Sequence, residues 1–312
     1  MALQPAALCT DSALSVLALR RNERANRRGA TPVFWSNQAP PGAPALVVMR
    51  IPKQLAFFEY QLSRLAGWLA PGTTVLAAGM DKHLSANTAA TLERFIGPTR
   101  RHPGARKARL FSAIRDDRPA PPPEPPPRVF CEALEAELES LPNVFSREKL
   151  DLGTRELIRQ LHGLTRVDTL IDLACGNGVL GLVAYGQGLA NTVVFCDESA
   201  MAIDSAQRNA RRLFPRAGDH FMFHHGDGLL EYDANPAQII LCNPPFHHDH
   251  TVDEFAGRHL LAQCSRHMAP DGRLYVVANR SLNYLPVLRR TFRHVATVPG
   301  GAKFNLLLAT GL

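Results

Sequence analysis

Nowhere in this chain do two cysteines stand as Cys-x-x-Cys. Cys9, Cys131, Cys175, Cys196, Cys242 and Cys264 are scattered, and three of them fall inside apolar strand-like runs. That pattern excludes a disulfide framework and a thiolate metal finger, and reads as reduced core thiols. No apolar run approaches the ~20 residues of a membrane span. The first ten residues lack the basic flank and long apolar core of a signal peptide, so the expected compartment is the cytoplasm. Acidic residues are scarce in one part only. Up to residue 128 the chain has 8 Asp/Glu against 18 Lys/Arg, a net +10, whereas residues 129–312 have 20 against 17, a net −3. Arg20, Arg21, Arg24, Arg27 and Arg28, with the later cluster Arg100, Arg101, Arg106, Lys107 and Arg109, carry the excess. Charge this lopsided suggests that one part grips phosphates while the other does chemistry. The remaining composition, 46% hydrophobic and 20% charged over 312 residues, is that of a globular protein with one large or two ordinary domains.

Residues 116–128, with the run Pro-Ala-Pro-Pro-Pro-Glu-Pro-Pro-Pro, hold too many prolines for helix or sheet and are expected to form a semi-rigid spacer. They separate a domain at 1–115 from one at 129–312. In the first, Leu55, Phe58, Leu62, Leu65 and Leu69 recur at helical spacing between apolar runs at 45–51 and 74–78, giving strand, helix, strand. The second repeats that order over 237–242, 253–268 and 273–278. Leu69-Ala-Pro-Gly72 precedes the closing strand of one unit as Met268-Ala-Pro-Asp-Gly272 precedes that of the other. Ser12-Ala13 and Arg21-Asn22 likewise share their offset with Ser199-Ala200 and Arg208-Asn209. Three matches in the same order argue for an internal duplication. The first copy begins where the second is already at about residue 190, so its sheet is expected to lack opening strands and to leave an unpaired edge.

What the first copy lacks is where the second carries its ligand-binding residues. Val167-Asp-Thr-Leu-Ile-Asp172-Leu173 reads as a buried parallel strand, followed by Ala174-Cys175-Gly176-Asn177-Gly178-Val-Leu-Gly181 and a helical run. Glycines there permit a tight turn and a close backbone approach to a ligand at the sheet's carboxyl edge. The next strand ends on Asp197, where an acid can take both ribose hydroxyls of a nucleoside. A nicotinamide dinucleotide is one candidate, but Asp172 beside the loop would repel a pyrophosphate. A nucleoside bearing a sulfonium and an ammonium would welcome that charge. Asp227, in Gly226-Asp227-Gly228, adds a carboxylate able to accept from an adenine amine. The apolar run Ile239-Ile-Leu-Cys242 stops at Asn243-Pro244-Pro245-Phe246. Two prolines cannot continue a ladder, so a strand ends at Asn243 and leaves a stiff loop. The Asn243 carbonyl and the main-chain carbonyl of Pro244 can accept from an exocyclic amine while Phe246 stacks on its ring. Asn-Pro is also ordinary turn chemistry; the first copy has Arg50-Ile51-Pro52-Lys53 at this place. His247-His248-Asp249-His250 lacks zinc spacing and reads as a loop that orders over bound substrate.

The succession Asp-x-x-Cys-Gly-Asn-Gly, Asp-Glu-Ser, Gly-Asp-Gly and Asn-Pro-Pro-Phe resembles class I S-adenosylmethionine-dependent methyltransferases. More narrowly, it resembles the bacterial ribosomal RNA guanine-N2 methyltransferases, with Ser146-Arg147 to Arg155, Leu274 to Arg280 and Lys303-Phe304 similar to the large-subunit branch. Ala174 stands where that family has a glycine. The resemblance implies an α/β fold of tandem Rossmann-like methyltransferase domains. The first is degenerate, N-terminally incomplete and RNA-binding; the second is a seven-stranded, mostly parallel sheet with flanking helices. It gives Asp172, Ala174, Gly176, Asn177, Gly178, Asp197, Glu198, Asp227, Gly228 and Asn243 to S-adenosylmethionine, and Asn243, Pro244, Pro245 and Phe246 to the target base. The implied activity is methylation of a guanine N2 in ribosomal RNA, 23S RNA in particular, by a monomer needing neither metal nor membrane. Adenine-N6 methylation of nucleic acid, methylation of a glutamine amide in a release factor, and a non-catalytic cofactor-binding RNA-binding protein stay open at this point.

Overall fold

The computed structural model describes residues 5–119, 121–245, 250–298 and 303–312. The chain divides into two compact units, Met1–Cys9 with Thr31–Pro126, and Thr10–Ala30 with Pro127–Leu312. Among the described residues no helix is long and apolar enough to cross a membrane, and all six cysteines are free thiols.

The first unit contains a mixed four-stranded sheet. Strands Leu46–Arg50 and Thr74–Met80 pair in parallel, joined by helix Leu55–Trp68, and Ala108–Ile114 and Thr99–Arg101 add antiparallel. Alternation along the strands turns Val75, Ala77, Phe111 and Ala113 onto Phe58, Leu62, Leu92 and Ile96, which makes a small apolar core. Strand Leu46–Arg50 forms one edge of this sheet. The proline-rich stretch is less of a spacer than its composition suggests. Prolines keep their carbonyls, and Ser63 Oγ donates to that of Pro121 at 2.8 Å. Arg115 Nε donates to the carbonyl of Ala66 at 3.1 Å and Arg118 Nη2 to that of Glu93 at 3.0 Å, so the beginning of the stretch is tied to the first unit. Its end, Arg128–Cys131, is already a strand paired with Ala136–Glu139.

The second unit comprises α1 (Ala13–Ala25), α2 (Leu152–Leu161), β1 (Val167–Leu173), α3 (Val179–Gly186), β2 (Ala190–Asp197), α4 (Ala200–Leu213), β3 (Phe221–His225), β4 (Ala237–Cys242), α5 (His250–Gln263), β5 (Met268–Asn279), α6 (Leu285–Leu288), β6 (His294–Val298) and β7 (Phe304–Thr310). Seven of its strands form one sheet in the order β3-β2-β1-β4-β5-β7-β6, parallel except where β7 runs against β5 and β6. Central strands covered on both faces need continuous apolar runs rather than alternation. Leu170, Ile171, Leu173, Val193, Val194, Phe195 and Ile239 to Cys242 are accordingly buried to within about 1%.

The expected boundary shifts at the start of the chain. Residues 10–30, read from the sequence as part of the first domain, pack with the second unit. Asp11 is the reason. Its Oδ2 accepts from Ser199 Oγ at 2.5 Å and Asn143 Nδ2 at 2.6 Å, and its Oδ1 from the Met201 amide at 2.9 Å, so it supplies a negative charge at the N-terminus of α4. The main chain reciprocates: Ala13 donates to Glu198 and Ala200 to Asp11, and Ser12 Oγ donates to Glu198 Oε2 at 2.6 Å. The matched pairs Ser12-Ala13 and Ser199-Ala200 thus cap two helices that meet head to head.

Candidate active site at the carboxyl edge of the sheet

Strand order reverses at β1, which pairs with β2 on one side and β4 on the other, and this is where a parallel sheet opens a crevice beyond its carboxyl ends. Asp172 stands opposite Phe195 of β2 and Leu241 of β4, so the turn after β1, Asp197 and Asn243 come together at one edge.

Asp172 is wholly buried. Its Oδ2 accepts from the Gly181 amide at 2.8 Å, and its Oδ1 has no partner among the described residues. Burial pushes its pKa to about 8, the Gly181 amide pulls the other way, and the charge of Asp197 adds to the rise. The turn after it runs through left-handed backbone at Ala174 (φ 60°), Gly176 (φ 55°) and Gly178 (φ 83°). At Gly178 a Cβ would come within 2.9 Å of Ala206, so the loop packs against α4 only without a side chain there. Asn177 is occupied in holding the turn: its Nδ2 donates to Ser140 Oγ and its Oδ1 accepts from the Val179 amide.

At the end of β2, Asp197 accepts from the amides of Gly176 at 2.9 Å and Ser199 at 3.0 Å. Burial raises its pKa to about 6 against the pull of those two amides. Glu198 beside it is exposed and takes the Ser12 hydroxyl. Asp227, after β3, has both oxygens within 3.0 Å of His259 Nε2 on α5. Gly228 adopts φ 59°, and a Cβ there would come within 2.5 Å of Gln263 Oε1.

Asn243 follows β4 directly. Its Nδ2 donates to Thr154 Oγ1 at 2.9 Å and Asp151 Oδ2 at 3.1 Å, and its Oδ1 is buried with no partner among the described residues. Pro244 is buried and Pro245 half-buried. The stacking role expected of Phe246, and the side chains of His247, His248, Asp249 and His250, lie outside the described residues. Among the described residues no group of three or more His, Cys, Asp or Glu is arranged to hold a metal ion. A cavity of about 460 Å³ lies at the opposite, amino edge, between Arg166, Asp168, Gln238 and Arg273, and contains none of the residues above.

Four residues of this edge were missed in the sequence. Asp151 and Thr154 open α2, and Asp-Leu-Gly-Thr is a recognisable cap, since the Thr154 amide donates to Asp151 Oδ2 at 3.0 Å. Nothing local announces that the pair also grips an amide 89 residues on. His259 has no sequence signal. Asn209 was noted only for its offset; it is fully buried, donates to the carbonyls of Asn177 and Glu139, and so ties the glycine turn to the hairpin before α2.

Two family models match the chain, a methyltransferase small domain over residues 135–308 and an RLMG N-terminal domain over residues 1–117. Among curated proteins, ribosomal RNA large subunit methyltransferase G of Alcanivorax borkumensis is 38% identical over 296 residues, covering 94% of this chain and 75% of that protein. The protein of the same name from Ectopseudomonas mendocina is 38% identical over 305 residues, covering 96% and 80%. Among solved structures, the T. thermophilus 16S rRNA N2 methyltransferase RsmC, in complex with AdoMet and guanosine, superposes with a TM-score of 0.80 at 21% identity, over 100% of this chain and 90% of that one.

Proposed function

Since the chain belongs to the family of ribosomal RNA large subunit methyltransferase G, built on a methyltransferase small domain, we propose that it transfers a methyl group from S-adenosylmethionine to the exocyclic N2 amine of a guanine in ribosomal RNA, 23S RNA in particular. The observation that carries this reading is the buried carbonyl oxygen of Asn243, left without a partner among the described residues at a strand end while its NH2 is held from the other side. An acceptor presented in this way matches an amine, and binding one relieves the penalty of a buried unpaired oxygen.

The rest of the edge suits the cofactor. S-adenosylmethionine, when bound, supplies an electrophilic methyl carbon. The unpaired Asp172 oxygen suits its cationic end, Asp197 with Glu198 its ribose hydroxyls, and Asp227 with Gly228 its adenine edge. Ala174, Gly176, Asn177 and Gly178 offer backbone for close approach. Asn243 and the carbonyl of Pro244 aim the amine, Pro245 stiffens the corner and Phe246 stacks. Aiming is most of what this transfer requires, and the amine sheds its proton afterwards. The target base leaves its stack to reach the corner, at a cost of roughly a few kcal/mol in paired RNA.

Exposed Arg100, Arg101, Arg106 and Lys107 of the first unit, and Arg21, Arg24, Arg27 and Arg28 on and just after α1, supply phosphate contacts to flanking RNA. The same reading has the chain acting in the cytoplasm, as a monomer, with no metal. The test is incubation of purified protein and labelled S-adenosylmethionine with 23S and 16S RNA from a strain lacking the gene, followed by mass mapping of nucleosides. N2-methylguanosine in 23S RNA is the expected product; N6-methyladenosine, or no incorporation into either RNA, overturns the reading.

A further inference from the structure

Asn243 presents its side-chain amide to the base it is proposed to hold, and a side-chain amide can be turned by 180° at little intrinsic cost. Turned one way it presents an acceptor; turned the other, a donor that would reject an amine. The surroundings decide which. Asp151 Oδ2 lies 3.1 Å from Nδ2 and has only lone pairs to offer, so an oxygen in that place would face a carboxylate. Thr154 Oγ1, at 2.9 Å, is within 3.5 Å of the same Asp151 oxygen; donating its one proton there leaves a lone pair for the amide. Thr154 is 5% exposed, so water does not readily substitute. Gly153 completes the arrangement, because a Cβ on it would come within 3.0 Å of Asp151 Oδ2 and 3.2 Å of Val277.

We infer that Asp151 and Thr154 are positioning residues that lock the Asn243 amide with its oxygen toward the substrate, and thereby restrict the site to bases bearing an exocyclic amine. This rests on the methyltransferase reading above. Asp151 also caps α2, and the two roles separate by substitution. Asparagine caps a helix about as well as aspartate, but its own amide can offer either a donor or an acceptor, so it no longer dictates the state of Asn243.

The experiment uses the full chain with Asp151→Asn, Thr154→Val and Thr154→Ser. Asp151→Asn and Thr154→Val are expected to lower kcat for RNA methylation by about 10- to 100-fold, with the KM for RNA and the calorimetric Kd for S-adenosylmethionine within about twofold of the parent. Thr154→Ser keeps the hydroxyl and is expected to retain kcat within about threefold. A readout independent of turnover is the Asn243 NH2 pair in asparagine-selective 15N spectra, identified by its loss in Asn243→Ala. It is expected to exchange slowly with solvent in the parent and in Thr154→Ser, and rapidly in Asp151→Asn. Parent-like kcat in Asp151→Asn, or a fall in kcat that follows lost cofactor affinity, overturns the inference. A parent protein with a protected Asn243 pair but no methylation of RNA overturns the function and leaves the locked amide standing.

Discussion

Ala174 adopts φ 60° in the turn after β1, where an L-residue with a Cβ pays about 1–2 kcal/mol relative to glycine. Its side chain therefore strains the backbone. Ala174→Gly is expected to raise stability by about 1 kcal/mol, less than the full strain because glycine also frees the unfolded chain, measured as an upward shift in the urea midpoint. The two acids beside this turn make a second prediction. Asp172 and Asp197 titrate near 8 and 6 in the folded chain, against about 3.9 when unfolded. Raised carboxyl pKa values stabilise the fold below about pH 4, and that contribution is lost as pH climbs through 6 and then 8. On the proposed reading, in which Asp197 takes the ribose hydroxyls, the cofactor runs the other way, since an ionised carboxylate accepts from a hydroxyl better than a protonated one. Calorimetric affinity for S-adenosylmethionine is expected to weaken as pH falls below about 6, and Asp197→Asn to bind more weakly with no step there.

The two helices that meet at their N-termini show how an element's position depends on single capping carboxylates. Asp11 is 6% exposed and accepts from a hydroxyl, a side-chain amide and a main-chain amide. Asp11→Ala leaves those donors unanswered and is expected to cost about 2–4 kcal/mol, read as a lowered Tm, with a smaller loss for Asp11→Asn. Such contacts mark the limit of what the sequence disclosed. β1 and β4 were legible to the residue because a strand buried on both faces is a continuous apolar run, and the glycines and prolines after them end it. The acids at the strand ends were legible for the same reason. Asp151, Asn209 and His259 were not, because each acts on a partner 32 to 92 residues away through a side chain whose local setting is ordinary helix. The recurrence of Ser-Ala and Arg-Asn at one offset was visible in the sequence. That the two Ser-Ala pairs face each other across a pair of main-chain hydrogen bonds was not.

At the scale of the molecule, the positive charge is not confined to one unit, because α1 carries its arginines with the second. In the first unit Arg109 is paired with Asp81, whereas Arg100, Arg106 and Lys107 are exposed. Replacing those three with alanine is expected to weaken RNA binding at low salt and to reduce the slope of log affinity against log salt by about 2–3, while leaving S-adenosylmethionine affinity unchanged; filter binding across a salt series measures it. The second unit is also discontinuous in sequence, its residues 10–30 separated from the remainder by the Thr31–Pro126 segment of the first unit. Those residues leave the ribosome long before the sheet they adjoin has been synthesised, and they must wait, undocked, while the intervening segment folds. A fragment cut at the proline-rich stretch would keep every strand of the chemistry-bearing half yet surrender the carboxylate that caps its fourth helix. Where the chain looks easiest to divide is therefore a poor place to divide it.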